Sequence, residues 1–477
     1  MAASAPIPKT IYLGAFVHSV SLSELEICER GAIGVDEAGL IQFVERGVED
    51  VEILKGKEGW GSAEIVSVEG DGWFFPGFVD THTHAPQHPN TGLFGKTTLL
   101  SWLDTYTFPL EASLSSLPKA HTIYSNFISR TLSHGTTTCA YYATRHVPAT
   151  NLLADLCLAK GQRALVGRVC MDSLSPEYYR DESVESAVRD SEASIQHIRT
   201  IDPSGAIVRP IVTPRFAPSC TAPCLAALGT LARDADAFVQ THVSENKSEI
   251  ELVAKLFPDS ESYTHVYATA DLLGPKTILA HAVHLTDEEQ ELVKRTDAKI
   301  SHCPASNTAL TSGCAPVRRF LDAGLTVGLG TDVSGGFSPS ILEECRQAIW
   351  TSRFRAMGTE GDKAKLSTEE VLYLATRGGA KVVGLEDRVG GFEVGKEFDA
   401  QMVKLGDVVG KPKEGTNGIN GHGGFVYKGE EEGPVDVFGW ESWDEKVQKW
   451  VYSGDDRNTV AVWVRGRLVH QTKRFQA

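Results

Sequence analysis

A pair of histidines separated by one residue is the first feature of this sequence that could carry chemistry. His82 and His84 lie in the short apolar segment Phe74–Ala85. Residues i and i+2 share one face of a strand, so both imidazoles point to the same side if this segment is a strand. Two converging imidazole nitrogens can bind a divalent cation. The pair therefore indicates a metal site.

Further histidine and acidic residues lie near the ends of other apolar segments: His242, Glu245, His281, His302 and Asp332. A lone histidine on an apolar strand is more often a hydrogen-bonded core residue than a ligand. The combination favours a metal site, because His82, His84 and His242 supply neutral nitrogen donors. Asp332 adds an anionic oxygen, and the set suits zinc while remaining compatible with iron.

The chemistry expected of such a site is hydrolysis. A metal with a position open to water is catalytic rather than structural. Coordination lowers the pKa of water from about 15.7 to about 7, which provides hydroxide at neutral pH. Glu245, three residues beyond His242, is placed to accept the proton and return it to a substrate nitrogen. Asp332 is expected to orient the hydroxide and to help move its proton.

These residues must be positioned by a series of strands. Eight short apolar or β-branched segments, separated mostly by segments of helical period, are found at 74–85, 135–143, 163–170, 207–216, 237–245, 277–285, 299–307 and 326–333. Eight strand–helix units in series predict an α/β fold with a (β/α)8 TIM-like barrel, and a doubly wound open sheet is the weaker alternative. The polar residues fall near the C-terminal ends of the strands, where barrel enzymes build their sites.

Both ends of the chain differ from the barrel segments in their hydrophobic pattern. Short alternating segments from about Ile11 to Val68 predict a small β-sheet, and the alternation returns beyond about Leu385. We therefore predict one small composite β-sandwich domain formed by both chain ends. The predicted limits are 1–73 and 385–477 for this β-domain and 74–384 for the barrel.

The overall composition excludes several classes of function. A formal net charge of -16 over 477 residues disfavours binding to nucleic acids or anionic membranes. The first residues do not have the pattern of a signal peptide, and no apolar segment approaches the roughly 20 residues that span a bilayer, so a cytoplasmic location is expected. Nine scattered cysteines without a CxxC pair are expected to be reduced and buried.

The motifs around these residues resemble the amidohydrolase superfamily in PGFVDTHTH, HVSE, the histidine of the sixth predicted barrel strand and GLGTDV. A closer resemblance, to the guanine deaminases of that superfamily, is carried by Ala85-Pro86-Gln87, LLSWLDTYTFPLE, VTPRF, THVSENKSEIE, SHCPASN, GTDVSGG, FEVGKEFDA and YSGDDRN. The resemblance runs from about Pro76 to the C-terminal part of the chain.

The resemblance implies hydrolysis of guanine to xanthine and ammonia, in purine catabolism, with one zinc ion per chain and a homodimeric assembly. The zinc ligands it implies are His82, His84, His242 and Asp332. Its catalytic residues correspond to Glu245, Asp332 and His281. Its substrate-binding residues correspond to His84, Gln87, Arg215, Phe216, His242, Glu245 and Asp332.

Two alternatives remain at this point. One is a deaminase or chlorohydrolase that acts on another purine or azine, which would keep the metal ligands without needing Gln87, Arg215 and Phe216 together. The other is a barrel that has lost catalysis and serves as an adaptor, although such proteins typically lose metal ligands.

Aromatic residues at the spacing of Trp102, Tyr106 and Phe108 are more often core residues than pocket residues. The roles of His284, His302 and the Gly- and Glu-rich segment 406–433 are not assigned.

Overall fold

The computed structural model describes residues 7–406, 408–409 and 433–475, so most of the segment 406–433 lies outside the described residues. The strands, in chain order, are β1 (Thr10–Ser21), β2 (Glu24–Val35), β3 (Ile41–Arg46), β4 (Glu64–Ser67), β5 (Gly72–Pro76), β6 (Phe78–His84), β7 (Thr136–Tyr142), β8 (Arg163–Gly167), β9 (Val169–Cys170), β10 (Val208–Pro214), β11 (Phe238–Val243), β12 (Thr277–His281), β13 (Lys299–His302), β14 (Val327–Leu329), β15 (Ala400–Lys404), β16 (Thr459–Val464) and β17 (Arg467–Gln471).

The helices fall mostly between the strands of the barrel. Those of ten or more residues are Leu117–Ser133, Val147–Lys160, Val184–Ile201, Ala222–Asp234, Lys247–Leu256, Asp287–Thr296, Ile341–Arg355 and Trp443–Ser453. Shorter ones include Ala85–Asn90, Leu99–Trp102, Phe108–Ala112, Tyr263–Thr269, Pro304–Ala309, Val317–Asp322 and Thr368–Tyr373. None of the helices in the described ranges combines the length and the hydropathy needed to cross a membrane.

The barrel is a parallel sheet in the order β14-β13-β12-β11-β10-β8-β7-β6, with β9 beside β10. Every residue of β6, β7 and β8 is buried, as expected of parallel strands covered on both faces. The segment after β14 closes the circle, because the Asp332 N–H donates to the His82 carbonyl (2.8 Å) and the His84 N–H donates to the Val333 carbonyl (3.1 Å). The predicted α/β barrel is confirmed.

The second sheet is built from both chain ends, in the order β17-β16-β15-β5-β1-β2-β3, with β4 beside β1. The junction between the ends is the antiparallel pair β5–β15, in which Ala400 pairs with Pro76 and Lys404 with Gly72. The predicted boundary after residue 73 thus falls inside β5, and the first barrel strand begins at Phe78. The predicted barrel segment 74–85 therefore includes the end of a strand of the small sheet. The domain limits themselves stay a prediction.

Aromatic side chains fill the junction between the small sheet and the barrel. Trp450, from the C-terminal helix Trp443–Ser453, stacks on Phe78 with ring centroids 5.9 Å apart and meets Phe75 edge to face at 5.1 Å. All three residues are buried. Burial of large aromatic surfaces contributes strongly to stability. Packing of the C-terminal helix against this junction therefore stabilises the contact between the small sheet and the barrel.

A buried ion pair also ties the two parts together. Arg163, at the start of β8, donates from Nε to Asp399 Oδ2 (2.6 Å) and also binds Glu397, both just before β15. The side chains of Arg163 and Asp399 are each 1% exposed. A buried charge needs its partner, because its hydration has been lost.

We expect Arg163→Met to lower the free energy of unfolding by about 3–5 kcal/mol, because Asp399 would remain buried without its cation, whereas Glu397 keeps its contact with Arg388. The measurement is the shift of the urea unfolding transition. The matched control is Arg30→Met, since Arg30 and Glu49 form an exposed pair that contributes about 0–1 kcal/mol. Equal shifts in the two variants would contradict a stabilising role for the buried pair.

Candidate active site

Three of the predicted metal ligands meet where β6 approaches the end of β14. His82 and His84 project from the same face of β6, and their Nε2 atoms lie 3.3 Å apart. Asp332 Oδ1 lies 3.1 Å from His82 Nε2 and 3.2 Å from His84 Nε2. The shared face follows from the i, i+2 spacing, and the backbone hydrogen bond from Asp332 to His82 holds the two segments in register.

His242 brings the fourth donor from β11. Its Nδ1–H donates to the Arg215 carbonyl at 2.6 Å, which leaves the Nε2 lone pair free. The donor atoms of His82, His84, His242 and Asp332 all lie within 4.8 Å of one another. Ligands about 2.1 Å from a tetrahedral zinc lie roughly 3.4 Å apart, so the cluster fits such an ion. A hydrogen bond to the second ring nitrogen, as His242 makes, is the usual way of orienting a ligand histidine.

The protonation states of these groups suit a cation. Burial lowers the pKa of His82 to about 3 and holds that of His242 well below its usual value. Burial alone would raise the pKa of Asp332, but hydrogen bonds from His82 and His84 outweigh it and place that pKa well below its usual range. Neutral imidazoles and an ionised carboxylate are the forms that coordinate metals.

Glu245 follows β11 and is 1% exposed. Burial raises its pKa to about 7, with the nearby His281 opposing the rise. Ser312 Oγ donates to Glu245 Oε1 at 3.1 Å, and His281 Nε2 lies 3.5 Å from Oε2. A carboxyl group with a pKa near neutrality can both accept and release a proton at physiological pH. Its setting therefore suits a general acid and base.

His281 ends β12 between the two carboxylates. Its Nδ1–H donates to Asn307 Oδ1 at 2.9 Å, and its Nε2 lies 3.9 Å from Asp332 Oδ2. That Nε2 atom is buried and has no hydrogen-bond partner among the described groups. Because a buried polar atom without a partner is costly, an unpaired nitrogen directed towards Glu245 and Asp332 is suited to a ligand oxygen.

The backbone at these strand ends is strained. Ser244, His281 and Asp332 have φ values of 47°, 72° and 46°, in the left-handed region that disfavours residues with a side chain. Such conformations cost on the order of 1–3 kcal/mol each and persist only where the surroundings enforce them. Their concentration beside the metal cluster is typical of functional sites.

A cavity opens beside the cluster. Its lining residues are His84, Gln87, Leu99, Trp102, Leu103, Arg215, Phe216, His242, Glu245, Leu310 and Asp332. All seven residues expected to bind substrate are among them. Leucine and aromatic side chains form the apolar part of the wall, and a few polar groups converge on it, as in small-molecule sites generally.

Arg215 is held by a carboxylate that the sequence analysis did not single out. Glu111, the last residue of LLSWLDTYTFPLE, accepts from Arg215 Nη1 (2.7 Å) and Nη2 (3.2 Å). The guanidinium lies 5.3 Å from the ring centroid of Phe108. Glu111 is the one polar residue of the helix Phe108–Ala112, and this was the available signal, because an acidic residue is rarely buried unless it is paired.

The remaining candidates divide between the cavity and the core. Trp102 lines the cavity and Phe108 lies against Arg215. Tyr106 packs against the apolar cluster that contains Trp102 and Phe108. His284 Nε2 donates to the Ser312 carbonyl at 2.8 Å, which is a structural role next to Glu245. Burial lowers the pKa of His302 to about 3, and this neutral residue is not in the cavity wall. Asn307 and Ser312, which orient His281 and Glu245, were missed because each acts through another side chain.

Comparison with known proteins agrees with this geometry. The model of the family described as "Amidohydrolase family" matches residues 73–469. A probable guanine deaminase of Schizosaccharomyces pombe is 45% identical over 96% of this chain and 83% of its own length. The guanine deaminase of Dictyostelium discoideum is 41% identical over 96% of this chain and 98% of its own length.

A solved structure extends the comparison to three dimensions. The guanine deaminase of C. acetobutylicum, crystallised with guanine bound in its active site, superposes with a TM-score of 0.84. It is 32% identical, and the match covers 97% of this chain and 100% of that one. With the barrel, the metal-binding cluster and matches over nearly the whole length, the chain belongs to the amidohydrolase family and, within it, to the guanine deaminases.

Proposed function

We propose that the chain hydrolyses guanine to xanthine and ammonia, using one zinc ion held by His82, His84, His242 and Asp332. The observation that carries the proposal is a single cavity whose wall contains three of the four residues of the metal cluster, His84, His242 and Asp332, together with Arg215 and Phe216. The cluster supports hydrolysis, and the cationic and aromatic wall supports a flat substrate with an acceptor atom. Guanine has that shape and carries a carbonyl oxygen at C6.

The reaction replaces the 2-amino group of guanine by oxygen from water. A zinc ion in the cluster would supply a Lewis acid that lowers the pKa of water to about 7. Glu245 accepts the proton lost by water and delivers it to ring nitrogen N3 while the new C2–O bond forms. The remaining proton of the water, now on the C2 hydroxyl, is then transferred to the amino group, the C2–N bond breaks, the C2–O bond becomes a carbonyl and ammonia leaves. The pKa of Glu245, about 7, allows both directions of transfer.

Asp332 and His281 assist Glu245. The ionised Asp332 can orient the attacking oxygen and hold its proton, and the unpaired Nε2 of His281 can hydrogen-bond the same oxygen or the substrate. Asn307 fixes the His281 ring through Nδ1, so Nε2 keeps its direction. Proton transfer to the purine ring is therefore assigned to Glu245, whose carboxylate lies in the cavity wall.

Recognition of the purine rests on the polar and aromatic wall. Arg215 can donate a charge-assisted hydrogen bond to O6, where adenine has an amino group that would place a donor against a donor. Gln87 can hydrogen-bond the purine edge, and Phe216 can pack against the flat ring. Arg215 therefore favours guanine and excludes adenine.

We expect Arg215→Ala to lower kcat/KM for guanine about ten- to a hundred-fold, because O6 would lose a charged donor in a dry cavity. Arg215→Lys should recover little, since an ammonium cannot reproduce the planar fork that binds Glu111. Steady-state rates on guanine are to be compared at equal zinc content. Equal efficiencies of both variants and the wild type would reject the assignment of Arg215 to the purine pocket while leaving the metal site standing.

The experiment that tests the function directly is incubation of the purified protein with guanine, adenine, cytosine and thioadenosine while ammonia is measured. Release from guanine alone is expected. Release from another substrate instead would favour the alternative deaminase, and no release from zinc-loaded protein would favour the adaptor.

Homodimeric assembly and a cytoplasmic location are further parts of the proposal. The resemblance to guanine deaminases supports the dimer, and the net charge of -16 supports an aqueous environment away from anionic surfaces. Sedimentation equilibrium tests the first, with a mass of one chain as the contrary result. Fractionation of the source cells tests the second.

A further inference from the structure

Glu111 is a buried carboxylate directly behind the wall of the cavity. It lies in the helix Phe108–Ala112 and is 0% exposed. Its Oε2 accepts from Arg215 Nη1, and its Oε1 accepts from both Arg215 Nη2 (3.2 Å) and Gln87 Nε2 (2.8 Å). Arg215 and Gln87 line the cavity, whereas Glu111 does not. One carboxylate therefore holds two substrate-facing side chains without itself reaching the substrate.

The carboxylate determines which way the Gln87 amide points. Gln87 Nε2 donates to Glu111, and Gln87 Oε1 accepts from the Ser334 N–H at 3.2 Å. A carboxylate only accepts and a backbone N–H only donates. The inverted amide would place oxygen against oxygen at Glu111 and N–H against N–H at Ser334. The structure thus allows one orientation of Gln87.

The same contacts determine what the cavity wall offers to a substrate. Glu111 engages two nitrogens of Arg215 and one N–H of Gln87, and it leaves the second N–H of Gln87 and the other guanidinium donors available. The two lone pairs of the Gln87 oxygen are met by Ser334, whose N–H donates at 3.2 Å and whose hydroxyl donates at 3.5 Å. This part of the wall therefore presents hydrogen-bond donors, which match an acceptor at C6 of a purine and not an amino group.

Electrostatics supports an ionised pair at this point. Burial alone would raise the pKa of Glu111, but the charge of Arg215 outweighs it and the pKa is lowered. Phe108 covers one face of the guanidinium. A paired, stacked guanidinium has little freedom to turn away from the cavity, so Glu111 supplies both its counter-charge and its direction.

We propose that Glu111 is a positioning residue that determines specificity, by directing the donors of Arg215 and Gln87 at the substituent on C6 of the purine. This inference rests on the proposed function, because it concerns the same cavity. It predicts that the contribution of Glu111 depends on what the substrate carries at C6. A residue needed only for folding would affect all substrates alike.

The test compares Glu111→Gln with the wild type on guanine and 2-aminopurine. Both substrates carry the reacting 2-amino group, but 2-aminopurine has only hydrogen at C6. We expect kcat/KM for guanine to fall about ten- to a hundred-fold, mainly through KM, and kcat/KM for 2-aminopurine to fall less than about threefold. Rates on 2,6-diaminopurine, which has an amino group at C6, should fall less than those on guanine. Equal losses on all three substrates, or no loss on any, would overturn the proposal.

Two further variants separate positioning from damage to the fold. Glu289→Gln alters another buried glutamate that binds Thr264 away from the cavity, so its effect should be the same for every substrate. The double variant Glu111→Gln/Arg215→Met removes both buried charges and answers the question if Glu111→Gln alone does not fold. Its loss on guanine should exceed that of Arg215→Met alone only by the contribution of Gln87, because Glu111 acts through Arg215 and Gln87. Additive losses would contradict this. A wild type inactive on guanine would instead overturn the proposed function.

Discussion

Replacement of His82 by Ala is expected to remove the metal and, with it, all measurable deaminase activity. His82 is one of four donors, and its Nε2 lies within 3.3 Å of the donor atoms of His84 and Asp332. Loss of a mere hydrogen-bonding partner of a ligand costs about 10–100-fold in metal affinity or activity, so loss of the ligand itself should cost more. Elemental analysis should find about one zinc per wild-type chain and almost none in the variant.

The control for this prediction is His197→Ala, since the partly exposed His197 hydrogen-bonds Asp155 of a neighbouring helix, outside the cavity wall, and its loss should leave both zinc and activity unchanged. Circular dichroism should show that both variants are folded. Retention of zinc and of activity by His82→Ala would reject His82 as a ligand. Two metal ions per wild-type chain, or an active wild type without metal, would contradict the proposed site.

Glu245→Gln is expected to lower kcat by at least about 10²-fold while zinc and the fold are retained. The amide has the shape of the carboxylate and can still meet Ser312, but it cannot accept the proton of water or transfer it to N3. Guanine binding should survive, because Arg215, Gln87 and Phe216 are unchanged. The measurements are kcat, zinc content and the affinity for guanine under conditions of negligible turnover.

A matched control lies close in the sequence. Glu251 is exposed on the helix Lys247–Leu256, so Glu251→Gln makes the same chemical change without reaching the cavity. Its kcat should equal that of the wild type. If Glu245→Gln were as active as this control, the proton would have to be moved by another group, with Asp332 and His281 the next candidates.

The barrel and the convergence of its polar residues could be predicted because they follow from local spacing. The HxH pair at His82 and His84 shares a face in any strand, and parallel strands place their C-terminal ends at one edge. That geometry alone brings His242 and Asp332 towards the pair. Burial of the strands on both faces explains why continuous apolar segments, rather than alternating ones, indicated the barrel.

Features that depend on distant contacts could not be predicted in this way. Glu111 binds Arg215, which lies 104 residues away in the sequence, and no residue next to Glu111 in the sequence indicates that partner. The end of β5 was marked by the turn-forming dipeptide Pro76-Gly77, but the apolar residues on both sides made the two strands look like one segment. The sheet to which β5 belongs could not be predicted, because its partner strand and the Asp399 carbonyl that accepts from the Gly77 N–H come from the other end of the chain.

The joining of both chain ends in one sheet has a consequence for synthesis of the protein. Gln401, in the strand that pairs with β5, follows Pro76 by 325 residues. At about 5–20 residues per second, a ribosome needs roughly 16–65 s to make that stretch. During that time the edge of β5 with Trp73, Phe74 and Phe75 lacks its neighbour, and an apolar strand edge is a template for aggregation. Folding chaperones should therefore matter most while the barrel is being translated, and truncation before residue 400 should yield insoluble protein.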